Sequence, residues 1–305
     1  MSLLPEATHD AVCAACKGVK CCVNYRVSVT GCDVQRLVKG LSLSPQEVSY
    51  LQRVKPEAVQ PFAVFLSRAR DPYELCLQKK PPRTQDPTEK RACAFLIELD
   101  SFTRRCGVYP HRPMVCRMFP TVATSYGVDV VQRTTCPPRA WTIERVDIPT
   151  AQLMHDLWRI ERDLYCAFLE RWNLLASATP EDRRLSTEAF FFMLLKFYGG
   201  LDPAKQATFE APAAQAPLAS GWRAAVSLHA QPWTLLDSPQ RDALLRCAGP
   251  VATAFMEAAR DRLADLDRTV AALIATTRAQ VNHSLQSKLD RLSALMAPPP
   301  TTPQP

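Results

Sequence analysis

Apolar residues recur along this chain with two different periods, and the change of period divides it. In the first half the signals are short. Val23, Tyr25, Val27 and Val29 alternate with polar neighbours and predict one face of a strand. Val34, Leu37, Val38 and Leu41 follow at helical spacing, with Thr30 or Asp33 as the cap. Ser44-Pro45-Gln46-Glu47 opens another helix, with Pro at the first position. YELCL, around Cys76, alternates weakly like a strand, and KKPPRTQDPTEK after it reads as a surface loop. Leu96, Ile97 and Leu99 predict a short core strand, Ser101 to Arg105 a turn, Cys106 to Tyr109 a second strand and Val128 to Arg133 another. Pro110 and Pro113 bar a regular helix between them, and Arg112, before a proline, is expected to be extended.

From Thr150 the period becomes helical. Leu153, Leu157, Ile160, Leu164, Phe168 and Trp172 share a face, and a second helix holds AFFFMLLKFY and stops at Gly199-Gly200. Residues 202–218 are rich in Ala and Pro and read as a linker. Trp222 to Ala248 offers shorter helical pieces. Pro250 then precedes a long amphipathic run from Val251 to Met296, striped by Leu263, Leu266, Val270, Leu273, Val281, Leu285, Leu289 and Leu292. Its heptad phase slips near Thr277, which favours docking on its own helices over a free coiled-coil arm. The pattern predicts an α+β protein: a small cysteine-rich domain over 1–148, a helical pair over 149–201 packed on it, a linker over 202–220, C-terminal helices over 221–296 and a disordered tail over 297–305.

Composition narrows the class. The chain has 305 residues, 47% hydrophobic and 22% charged, enough for one or two cores. Its longest apolar run, Ala189 to Leu195, is far short of the ~18 residues a membrane span needs. The first ten residues lack the basic start and apolar stretch of a secretory signal, so the expectation is a soluble cytoplasmic protein with no membrane contact. The net charge of +7 is modest, and the arginines lack the interleaved aromatics of a repeating nucleic-acid surface, which argues against such a ligand.

Twelve cysteines in a chain without an export signal point to metal or redox chemistry before disulfides. Eight of them cluster. Cys13, Cys16, Cys21 and Cys22 form C-x2-C-x4-C-C, Cys93, Cys106 and Cys116 form C-x12-C-x9-C, and Cys136 precedes Pro137-Pro138. The C-x2-C unit is a recurrent metal knuckle, and Gly18 gives turn freedom between the two halves of the first group. In an extended chain Cys21 and Cys22 would point to opposite faces, so that they ligate different metals or only one ligates. Cys32 and Cys76 read as structural, Cys166 and Cys247 as buried thiols, and His155 as a surface or packing histidine. The expectation is that the two distant groups fold together around bound metal. A metal held by four thiolates carries a charge of about −2, which Arg104, Arg105, Arg112, Arg117, Arg133 and Arg139 lie close enough in sequence to offset.

The run of C-x2-C, CC, CAFL, RCGVYPHRPMVCRMFP and a late Cys-Pro resembles the YkgJ-type cysteine-cluster family over roughly residues 13–140. The most specific part of the likeness is Cys106, Tyr109, Arg112, Pro113, Cys116, Arg117, Phe119 and Pro120. The resemblance implies a zinc- or iron-chelating domain in which Cys13, Cys16, Cys21, Cys22, Cys93, Cys106, Cys116 and Cys136 are the metal-binding cysteines. It implies an iron–sulfur cluster (4Fe-4S) or zinc, with the cluster slightly favoured. A related branch holds flagellin lysine N-methylases, and other relatives are described as iron–sulfur oxidoreductases, so an enzyme of that class is the alternative to a metal-binding module. The chain has no G-x-G-x-x-G, P-loop, H-E-x-x-H or C-x3-C-x2-C, and no catalytic residue is assigned. The family pattern has a slightly shorter N-terminal spacing and does not cover the C-terminal helices, which are expected to contact a protein partner.

Overall fold

A computed structural model describes residues 20–55, 62–68, 71–82, 84, 90–99, 104–108, 111–124, 127–131, 143, 146, 148–180, 182–199 and 238–296. The expected linker over 202–220, the tail over 297–305, and Cys13, Cys16 and Cys136 lie outside these residues.

The N-terminal region is mixed α+β, with three small sheets among the described residues. A short helix α1 (Lys20–Asn24) is followed by an extended stretch that borders the first sheet. There Val29 N–H donates to Leu75 O at 3.0 Å and Leu77 N–H to Val27 O at 2.8 Å. The alternation of Val27 and Val29 is therefore extended backbone, as expected, but Val23 belongs to the helix before it. Helix α2 (Gly31–Leu41) starts at Thr30, whose hydroxyl accepts from Asp33 N–H while the Asp33 carboxylate accepts from Thr30 N–H. This reciprocal cap satisfies backbone donors that would otherwise be orphaned at the helix start. Helix α3 (Pro45–Val48) is capped the same way by Ser44 and Glu47.

Strands β1 (Ser49–Arg53), β2 (Val64–Phe65) and β3 (Pro72–Leu77) form an antiparallel sheet with β3 central. Ser49 faces Leu77 and Arg53 faces Tyr73, while Val64 also pairs with Tyr73. Strands β4 (Leu96–Glu98) and β5 (Arg104–Cys106) make one ribbon. After it comes α4 (Met114–Met118), beginning directly after Pro113. Strands β6 (Thr121–Thr124) and β7 (Gly127–Val130) make a second ribbon. Only Leu96 of the expected core strand is buried; Ile97 is 47% exposed and Leu99 60% exposed. A two-stranded ribbon has one face against the core, and alternation puts Ile97 on the other.

The C-terminal region is mostly helical: α5 (Ile148–Ala178), α6 (Thr187–Gly199) and α7 (Ser238–Met296). Ile160, Leu164, Phe168 and Trp172 of α5 pack with Phe190, Phe191, Leu194 and Phe197 of α6. The same core takes in Val34 and Leu37 of α2 and Leu75 of β3, so sheets and helices share one interior. Trp172 Nε1–H donates to Phe65 O at 2.7 Å, and Asn173 holds Ala63 O and Phe65 N, each at 2.9 Å, fixing β2 to α5. A smaller core joins Met114 and Met118 of α4 to Val130, Ala151 and Met154.

Helix α7 docks on this body through Ala259, Leu266 and Val270, with Leu263 and Ile274 alongside. Arg171 of α5 holds Asp267 through Nε at 2.7 Å and Nη2 at 3.0 Å. Docking is thus the outcome for the first part of the stripe. Farther on, Leu285 and Leu289 are 54% and 56% exposed. The helix starts at Ser238 and includes Pro250, which the sequence placed before it; so long a helix absorbs the loss of one backbone hydrogen bond. No helix among the described residues is long and apolar enough to cross a membrane.

Candidate metal centre

Five of the eight clustered cysteines lie among the described residues: Cys21, Cys22, Cys93, Cys106 and Cys116. All are free and partly exposed. They come together from three elements, α1, β5 and α4, and from the isolated bridge residue Cys93. Cys21 and Cys22 sit on α1, where the backbone is helical rather than extended. Successive side chains on a helix turn by about 100°, not the 180° of a strand. Their sulfurs are consequently neighbours, sharing a hydrogen bond at 3.9 Å. This corrects the expectation that they face apart.

The link between the early and late groups is a backbone bond: Cys93 N–H donates to Cys22 O at 2.7 Å. Cys93 also bridges to Lys79 beside β3. Cys106 ends β5 opposite Leu96, three residues beyond Cys93. Cys116 lies in α4, whose first turn closes when its N–H bonds Pro113 O at 2.9 Å.

The electrostatics describe one group. Cys22 is raised well above the usual thiol range by its hydrogen bond with Cys21, by burial, and by the charges of Cys21, Cys93 and Cys116. Its partner Cys21 is lowered to about 7, chiefly by the same hydrogen bond. Burial raises Cys93, and Cys106 adds to it. Burial raises Cys106, with Cys21 adding and Arg112 opposing. Cys116 is raised by burial, then by Cys93 and Cys106, again against Arg112. Cys22 feels Cys93 and Cys116, and Cys106 feels Cys21, so two stretches about seventy residues or more apart meet at one locus. Removing water from several thiols without a cation disfavours their ionised form. A soft divalent cation or an iron–sulfur core would reverse that balance, because thiolate is the form that ligates. The donor set therefore fits such a group. Among the described residues no three His, Cys, Asp or Glu side chains are placed so that they could hold a metal ion.

The surrounding charges were only partly legible. Arg112 does face the thiols. Arg104 pairs instead with Glu98 at 3.3 Å. Arg117 is buried and donates through Nε to Arg112 O at 2.9 Å; burial and the neighbouring Arg36 lower it to about 10, against Glu161 and Asp33. Arg133 and Arg139 lie outside the described residues. Sequence reasoning missed Lys79, whose pKa is lowered by burial and held up by Cys93 and Cys22. It stands in the loop after β3, and no motif marks it.

Two of the remaining cysteines are core residues. Cys32 is fully buried in the main core. Cys76 is fully buried on β3, with burial pushing its thiol up to about 12. Cys166 is half-buried, not fully buried as expected, with burial raising it to about 11. His155 is buried and within 3.0 Å of Thr121 Oγ1, which is the packing rather than the surface alternative. Cys247 is in α7, where its side chain is outside what the structure describes.

Residues 12–137 match the family model CxxCxxCC, whose description reads "Putative zinc- or iron-chelating domain". Neither a curated protein nor a solved structure matches the chain.

Proposed function

We propose that this chain, whose residues 12–137 carry the CxxCxxCC zinc- or iron-chelating domain, binds an iron–sulfur cluster or zinc through thiolates drawn from both ends of that domain. The observation that supports this reading is the meeting of Cys21 and Cys22 with Cys93, Cys106 and Cys116. Those five, with Cys13, Cys16 and Cys136, are the proposed ligands. When bound, the group supplies either a closed structural cross-link or a one-electron redox centre. The chain's own residues do the rest. α1 presents two adjacent sulfurs on one side, the Cys22–Cys93 backbone bond sets the two groups at fixed spacing, and Lys79 and Arg112 offset negative charge.

Anaerobic purification of the full chain tests the reading. Brown colour, iron and acid-labile sulfide identify a cluster; a colourless protein with stoichiometric zinc identifies the structural alternative. Failure to retain either, before or after reconstitution with iron, sulfide or zinc, overturns it.

The partner assignment is finer and concerns α7. Leu285 and Leu289 continue its apolar stripe beyond the docked part while standing exposed. That supports contact of this end of the helix with a protein. Truncation after Thr277 should leave metal content unchanged and remove proteins co-purifying with the full chain. Unchanged co-purification contradicts the assignment.

A further inference from the structure

The turn that carries Cys116 is held from outside the cysteine group. Helix α4 has five residues, and Pro113 at its N-cap offers it no side-chain hydrogen bond. The Met114 N–H donates instead to Asp33 Oδ1, at 2.8 Å and from 81 residues away. Asp33 is 1% exposed. Its other oxygen, Oδ2, accepts from Thr30 N–H at 3.0 Å and from Thr30 Oγ1 at 3.1 Å. Both oxygens are thus committed, one to starting α2 and one to starting α4.

Behind Asp33 stands an ion pair. Arg36 Nη1 lies 3.6 Å from Asp33 Oδ1, and Arg36 Nη2 donates to Glu161 Oε1 and Oε2 at 2.7 and 2.9 Å. Glu161 belongs to α5 and is buried. A continuous set of charged contacts therefore runs from the long helix, through α2, to the first peptide of the Cys116 turn. Buried ionic groups of this kind add little net stability, because desolvation consumes most of the Coulombic gain. Their directional hydrogen bonds give something an apolar core cannot: a fixed orientation for the turn.

We infer that Asp33 is a positioning residue for the Cys116 sulfur, and that Arg36 and Glu161 join the metal centre to α5 through it. The inference rests on the metal-centre reading above. It assigns to α5 a role in metal retention that no cysteine motif contains.

The test uses the full-length chain. Zinc affinity is measured by chelator competition, and cobalt(II) serves as a spectroscopic stand-in whose sulfur-to-metal charge-transfer intensity counts bound thiolates. Asp33→Ala is expected to weaken zinc ~10–100-fold, the usual effect of removing a group that orients a ligand. It should also lower the charge-transfer intensity per cobalt. Asp33→Asn keeps an oxygen for Met114 N–H but turns an amide donor toward Thr30 N–H, and should recover part of both. Should Asp33→Ala fail to fold, Arg36→Met and Glu161→Gln carry the test, with several-fold weaker zinc expected in each. Variants that bind zinc and cobalt as the unsubstituted chain does overturn the positioning role and leave the metal reading intact. An unsubstituted chain that binds neither metal overturns the metal reading itself, and the positioning role with it.

Discussion

Cys76 and Cys93 flank one loop, yet their surroundings assign them opposite roles. Cys76 is wholly buried on β3, while Cys93 is half-buried and electrostatically joined to Cys106. Cys93→Ser should remove bound metal. Cys76→Ala should retain it and lower stability by about 1 kcal/mol through a small cavity. Metal analysis and thermal unfolding of the two variants check the contrast. The same surroundings set a pH dependence. Burial raises Cys93, Cys106 and Cys116, so these thiols are protonated at neutral pH in the metal-free state and the incoming metal must displace their protons. Affinity should therefore rise with pH, by roughly tenfold per unit for each proton displaced. Zinc competition at two pH values either side of neutrality, with equal affinities at both, would contradict it. A further residue-scale expectation concerns Tyr198. Its hydroxyl is buried with no hydrogen-bond partner among the described residues, and its ring lies against Gly31, where an added Cβ would stand 2.0 Å from Cε2. Tyr198→Phe should leave stability unchanged or raise it by about 1 kcal/mol, whereas Gly31→Ala should lower it by about 1–3 kcal/mol despite alanine's better helix propensity. Denaturant titration separates the two; a destabilised Tyr198→Phe would show that the hydroxyl has a partner.

At the scale of elements, α7 shows how far a periodic pattern carries. The stripe of Leu263, Leu266, Val270, Val281, Leu285 and Leu289 was readable in the sequence, and so was the phase slip near Thr277. What packs against each part was not, because periodicity fixes a face and says nothing of the neighbour. Leu266 and Val270 are buried against the core, while Leu285 is 54% exposed. Leu266→Ala should cost about 2–4 kcal/mol, and Leu285→Ala almost nothing. Breaking the Arg171–Asp267 pair with Asp267→Asn should cost under ~1 kcal/mol, since the aspartate is 54% exposed and its charge is screened. Thermal unfolding of the three variants ranks them; equal losses at positions 266 and 285 would mean that the outer part of the helix is docked as well. Helix α1 illustrates the opposite case. The alternation from Val23 onward extends the strand reading back toward Cys22, but local pattern alone could not place the point where helix gives way to extended chain. That boundary decides whether two adjacent cysteines face together.

For the whole molecule, the legible part was chemical and the illegible part was long-range. The cysteine spacing, the caps at Thr30 and Ser44 and the two long helical periods follow from residues close in sequence. The bond from Cys93 to Cys22, the reach of Asp33 to Met114 and the pairing of Arg36 with Glu161 join residues 71, 81 and 125 positions apart. No local pattern encodes such contacts. They arise because α2 and α5 pack around the main interior that also receives β3, while α4 packs through a smaller core with Ala151 and Met154 of α5. Helix α5 is common to both cores and so ties the Cys116 turn to the rest of the helices. The central claim is that both thiol groups serve one centre. It is tested most directly by metal content in two single variants purified alike, Cys22→Ser from the early group and Cys106→Ser from the late one. The account predicts that each loses the same bound metal. Two variants that each keep a separate metal, held by the group left intact, would contradict it.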